Sequence, residues 1–150
     1  MEKLWTTKKK MTNYKIIGKY IKKIKFEINN PKLFFLLAEN ISNYKINIDI
    51  KSKQFKEKII EVETTLALIP IKKDFKKIDV EIIFSAIIEI ESKLDDKKEL
   101  EKIILIKVPS QIYPEIRKIF IFLFEESGFK EIKIDKSVDF QKLYDIRKIQ

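Results

Sequence analysis

Paired carboxylates are the first residues in this chain with the types and spacing for chemistry. Asp95 and Asp96 are adjacent, and Glu61 and Glu63 are two residues apart, on one side of any strand that contains them. Such pairs can divide general acid and base roles or hold a divalent cation. Neither pair has the rest of a site around it. The chain contains no His and no Cys. A nucleophilic triad therefore lacks its base, and zinc-finger, haem, disulfide and thiol chemistry lack their ligands. Any metal site would have to be all-carboxylate. The two glycines, Gly18 and Gly128, cannot build a phosphate-cradling loop. Asp95–Asp96 reads as a solvated turn, and Glu61/Glu63 as surface charge on a strand. No catalytic residue, metal or cofactor is assigned, and an enzyme is the weakest of the functional readings.

Charge is the next candidate. The net charge is +9, from 32 Lys and Arg against 23 Asp and Glu. Residues 1–58 hold 15 Lys against 5 Asp and Glu; residues 59–150 hold 17 basic against 18 acidic residues. The basic excess thus belongs to the first part, and it would suit nucleic acid, a membrane surface or an acidic protein. Only Arg117 and Arg147 are Arg, whereas bidentate reading of bases and phosphates favours Arg. A general drift toward Lys, Ile and Asn explains the excess better, and nucleic acid is disfavoured.

The elements that position these residues read as α+β. Residues 1–13 are expected to be a basic, disordered extension, with Met11 as a second possible start, and 14–150 a single domain. No stretch approaches the roughly 20 apolar residues of a membrane span, and no apolar region follows the basic N-terminus as in a secretory signal. A cytoplasmic protein without membrane insertion is expected. From Tyr14 the pattern alternates with period two, with Ile24, Phe26 and Ile28 against Lys25 and Glu27. "NNPKLFFLLAENISN" is apolar without clean periodicity and reads as a crossover loop. Three further strands follow. Ile46, Ile48 and Ile50 share one face. Ile60, Val62, Thr64, Leu66 and Leu68 share a second, and Ile78 to Ile90, by alternate residues, a third. Their short polar links, "KSKQFKE" and "PIKKDFKK", permit only antiparallel pairing.

After "SKLDDKK" the period changes to helical. "ELEKIILIKV" is predicted to be a helix stopped by Pro109. A second helix is predicted over Tyr113–Phe129, with Pro114 at its first position and Gly128 past its last turn. "KEIKID" reads as a short extended piece. A last helix is predicted to be capped by Ser137, with Phe140, Leu143, Tyr144 and Ile146 to Ile149 as its apolar face. The Tyr113–Phe129 helix carries an unbroken apolar run, Ile119 to Phe124. That run is apolar almost all round, which calls for burial on both sides.

The ordered set of segments resembles the SecB family of export chaperones. "YIKKIKFEINNP" is similar to the family's first strand and "YKINIDIK" to its second. Glu81 in "IDVEIIF" falls where the fourth strand carries a Glu. "VPSQIYPEIRKIF" resembles the junction into the long helix, with Tyr113, Pro114 and Arg117 in place. "SGF" and "VDFQKLY" resemble the helix end and the final helix. The likeness spans about Tyr14 to Tyr144. Lys23 stands where the family usually has an acid, the chain is basic where many members are acidic, and it ends without an acidic tail.

The resemblance implies a four-stranded antiparallel sheet followed by two to three helices, in a homotetramer built as a dimer of dimers. The long helix is then sandwiched between subunits, and Ile119, Phe120, Phe122, Leu123 and Phe124 are the implied oligomer interface. It implies an ATP-independent holdase that keeps preproteins unfolded and passes them to the SecA motor of the translocase. Phe34, Phe35, Tyr113 and Tyr144 are the implied preprotein groove, and Glu27 and Glu81 the implied SecA-docking acids. Two alternatives stand beside it: a SecB-like chaperone of a toxin–antitoxin system, and a basic nucleic-acid-binding module.

Overall fold

The computed structural model describes residues 13–91, 96–129, 132 and 134–149. The expected N-terminal extension, apart from Asn13, and Asp95 lie outside the described residues. Four strands form one antiparallel sheet: β1 (Tyr14–Glu27), β2 (Tyr44–Lys56), β3 (Ile59–Pro70) and β4 (Asp79–Ile90). Their spatial order is β1-β4-β3-β2. The three later strands form a meander through short connections, and β1 returns beside β4, a Greek-key arrangement. The register runs Tyr14↔Ile90 to Glu27↔Asp79 for β1–β4 and Tyr44↔Pro70 to Lys56↔Ile59 for β2–β3.

The predicted inward faces of β2, β3 and β4 are those the fold uses. Val62, Leu66, Ile82, Ala86 and Ile88 are wholly buried. β1 departs from simple alternation because bulges fall between Ile16 and Gly18 and between Ile21 and Lys23. A bulge adds a residue and lets neighbours share a face. Lys22 and Lys23 accordingly both meet acids of the outer sheet face, Glu63 at 2.6 Å and Glu81 at 3.3 Å.

The connection from β1 to β2 is a crossover, but a helical one. Helix α1 covers Pro31–Glu39, followed by a 3₁₀ turn, Ile41–Asn43. Asn30 caps it, its Oδ1 accepting the Leu33 N–H at 2.9 Å, and Pro31 stands at the start, where no N–H is needed. Leu33 and Leu37, one turn apart, are its buried face. The expected link "KSKQFKE" also shortens. β2 continues to Lys56, and Glu57–Lys58 make the turn, with Lys58 at φ 66°.

Pro109 does not stop a helix. α2 (Lys97–Lys102), a π turn (Ile103–Lys107) and α3 (Val108–Glu126) form one continuous helical run. Asp96 caps it by accepting the Lys98 N–H at 2.9 Å. In the π turn Val108 donates to the Ile103 carbonyl five residues back. The wide turn leaves Pro109 in the opening turn of α3, where its missing N–H matters least. Pro114 lies inside α3 rather than at its start. Ile112, Ile116, Phe120 and Phe124 form the stripe of α3 that packs on the sheet, all wholly buried. The Phe124 ring meets Phe26 of β1 edge-on, with centroids 5.1 Å apart. After Gly128, at φ 91°, the described part of "KEIKID" belongs to no strand. α4 (Phe140–Ile149) is capped by Asp139, which accepts the Lys142 N–H at 3.0 Å, and not by Ser137.

Candidate functional site: a trough along the edge strand

β2 is an edge strand. Its inward side chains, Tyr44, Ile46, Ile48 and Ile50, open onto a row of hollows. The first, about 440 Å³, lies between β2 and the end of α1, against Ala38, Ile41, Leu68 and Ile132. The next, about 320 Å³, runs from Tyr44 to Ile48 and is walled by Tyr113, Ile134 and Val138. A third, about 260 Å³, runs from Ile48 to Ile50 against Leu105, Leu143, Tyr144 and Arg147. Shared linings make these one trough. From Ile46 to Ile50 it extends roughly 14 Å, at the usual rise of a strand.

The far wall is held by α3. Arg117 donates from Nε and Nη2 to the Ile134 carbonyl at 3.1 and 3.0 Å. Tyr113 Oη donates to the Asp135 carbonyl at 2.7 Å. Burial pushes the Tyr113 hydroxyl pKa up. Tyr144 donates to Glu101 at 2.9 Å, and that bond raises its pKa. Both phenols stay protonated near neutral pH and act as donors.

Of the expected groove residues, Tyr113 and Tyr144 come together in this trough. Phe34 and Phe35 do not line it. They sit on α1, where the Phe34 ring packs on Phe129 with centroids 4.9 Å apart, and Phe35 is 61% exposed. The β2 lining, Leu105, Leu143 and Arg147 were not among the residues singled out for the groove. Alternation gave the face of β2 but not its place at an edge. In the expected interface run, Phe120 and Phe124 belong to the chain's own core, Ile119 and Leu123 are half-buried, and Phe122 is 58% exposed. Glu27 and Glu81 lie on the outer sheet face as diagonal neighbours, since Glu27 opposes Asp79 and Lys25 opposes Glu81. Ion pairs Lys23–Glu81 and Lys25–Asp79 surround them.

An open apolar trough with a polar rim fits an unstructured polypeptide better than a small reactant. Comparison with known proteins agrees. The profile of the family described as "Preprotein translocase subunit SecB" matches residues 7–150. The chain belongs to the SecB family. A putative protein-export protein SecB of Pelagibacter ubique is 44% identical over 132 residues, covering 88% of this chain and 94% of the relative. The protein-export protein SecB of Rhodospirillum rubrum is 26% identical over 129 residues, covering 86% and 78%. Among solved structures, a SecB-like chaperone of Mycobacterium tuberculosis, in complex with a ChAD peptide from the HigA1 antitoxin, matches with a TM-score of 0.62. It covers 87% of this chain and 92% of that one, at 12% identity. The likeness shows that the SecB fold, a four-stranded antiparallel sheet with helices, is the fold of this chain. It is a protein-export chaperone by family, and among its described residues no helix is long and apolar enough to cross a membrane.

Proposed function

We propose that this SecB-family chain is a cytoplasmic, ATP-independent holdase that keeps preproteins unfolded and delivers them to the SecA motor. The trough along β2 carries the proposal. It is open and apolar, and built for a chain rather than a compact ligand. In the working form four copies assemble as a dimer of dimers. The side of α3 left open in one chain, with Phe122, Ile119 and Leu123, packs against another copy. Phe35 on α1 extends the client-binding surface beyond the trough. Glu27 and Glu81 take the motor's basic segment, displacing Lys23 from Glu81 as they do so.

Two assays test this. The purified chain is expected to slow aggregation of a chemically unfolded secretory precursor at about stoichiometric ratio; no effect refutes the holdase. E27K/E81K is expected to lose SecA binding while keeping aggregation suppression; unchanged SecA binding refutes the docking assignment. The 44% identity to a putative export protein favours export over service to an antitoxin, since the antitoxin-bound neighbour shares 12% identity.

A further inference from the structure

The link between β3 and β4, "IKKDFKK", carries charge that the fold leaves unused. The lysines of β1 are taken up within the molecule: Lys15, Lys22, Lys23 and Lys25 meet acids of β3 and β4, and Lys19 meets Glu115 of α3. Lys72, Lys73, Lys76 and Lys77 are exposed, and none of them is in an ion pair among the described residues. Asp74 is the one acid in this link. At the neighbouring strand ends Glu27 opposes Asp79, and Lys25 holds Asp79 at 3.5 Å. The link is fixed to the sheet at several points. Ile71 donates its N–H to the Asn43 carbonyl at 2.8 Å, and Phe75 donates to the Lys72 carbonyl at 3.2 Å. Tyr44 Oη donates to the Lys76 carbonyl at 2.6 Å, and its ring lies beside that of Phe75, with centroids 6.3 Å apart. Phe75 is thereby held against the core, while Ile71 stands 55% exposed among the lysines. Residues 71–77 line none of the hollows of the trough.

We infer that residues 71–77 dock the chain on an anionic lipid surface, with the lysines at the headgroups and Ile71 set between them. The contact is peripheral and crosses nothing. It goes beyond the holdase reading and does not depend on it. A charged bilayer surface attracts lysines as a field, without requiring a fixed geometry, and each lysine near it strengthens binding by about fivefold. An ammonium on a flexible stem suits such a partner, whereas bidentate reading of a single phosphate favours Arg, which this link lacks. The apolar residue points the same way. An aliphatic side chain flanked by lysines can lie at the boundary of headgroup and acyl chain. A single-stranded nucleic acid fits less well, because stacking on a base needs an exposed aromatic ring. The one aromatic of the link is turned toward Tyr44, and the outward residue is Ile71.

The test is flotation of the full chain with vesicles of phosphatidylcholine alone and with roughly one-third phosphatidylglycerol. The chain is expected to bind the anionic vesicles at least about tenfold more tightly than the neutral ones, and less tightly as salt is raised. K72Q/K73Q/K77Q alters three exposed side chains and leaves the Lys76 carbonyl in place. It should keep its circular dichroism and lose affinity by about a hundredfold. K8Q/K9Q/K10Q removes the same charge from the N-terminal sequence and should stay within about threefold of the parent. I71S keeps every charge and should lose about threefold or more. Equal binding to both kinds of vesicle overturns the inference, and so does a loss in K8Q/K9Q/K10Q as large as in the link variant. Undiminished binding by I71S overturns it too, since charge alone would then carry the contact and any polyanion would serve. An RNA of about 20 nucleotides is the competitor. If it binds more tightly than the anionic vesicles and depends on the same three lysines, the link serves nucleic acid and the lipid assignment falls.

Discussion

Arg117 shows how one side chain can position a site it does not enter. Its two N–H groups on the Ile134 carbonyl need a planar fork. R117K should therefore fail to substitute. Both R117K and R117A are expected to lower stability by about 1–3 kcal/mol and to weaken client binding, read by thermal unfolding and anisotropy. Thr64 is the opposite case. It lies wholly buried on the inward face of β3, and its Oγ1 has no hydrogen-bond partner among the described residues. T64V keeps the shape and removes the unsatisfied group, so it should be neutral or stabilising by about 1 kcal/mol in urea unfolding. Glu61, on the outer face, accepts from Ser85 at 2.6 Å, from Tyr20 and from Lys22. The Ser85 bond, then the Tyr20 bond, hold its pKa below the ordinary 4.5. A lowered pKa contributes stability that is present above about pH 4.5 and lost as pH falls through the folded value. E61Q should then be less stable than the parent at pH 7 by about 1 kcal/mol, with the gap closing as pH falls below 4.5. A constant gap across that range would remove the assigned role.

At the scale of elements, α1 and the α2–α3 run carry the main differences from the sequence-based expectation. Leu33 to Leu37 are all apolar, so no stripe stands out, and the segment reads as a loop. Tertiary burial selects Leu33 and Leu37 and leaves Phe35 outside. The local signal was there in Asn30–Pro31, a cap followed by a first-turn proline. N30A is expected to cost about 1 kcal/mol by loss of the Leu33 N–H acceptor, measured in chemical denaturation. Pro109 misleads for another reason. A proline ends a regular α-helix, but a π turn just before it restarts the register, and a single sequence gives no sign of that turn. The β2–β3 turn holds Lys58 at positive φ. K58G should relieve that strain and raise stability by up to about 1 kcal/mol.

For the whole molecule, the open apolar surface is the far side of α3, where Phe122 is exposed. F122E alters a side chain that is mostly exposed in one chain, so the fold should survive with little change in circular dichroism. If α3 is the interface, its mass by light scattering should fall below that of four chains; an unchanged mass would place the interface elsewhere. The basic first part of the sequence also looks different in three dimensions. Lys15, Lys22, Lys23 and Lys25 of β1 lie against Glu89, Glu63, Glu81 and Asp79 of the later strands. A charge separation along the chain thus becomes a mixed surface, because the topology puts β1 beside β4. Alternation by itself determined the inward faces of β2, β3 and β4, since burial on one side of a pleated sheet imposes period two, and their short links determined the antiparallel meander. Composition by itself removed histidine- and thiol-based chemistry. The order β1-β4-β3-β2 was decided only by the tertiary structure, and with it the free edge of β2, the trough beside it and the neutralised outer face. These depend on which strand lies next to which, and the hydrophobic pattern of a strand is the same at an edge as in the middle of a sheet.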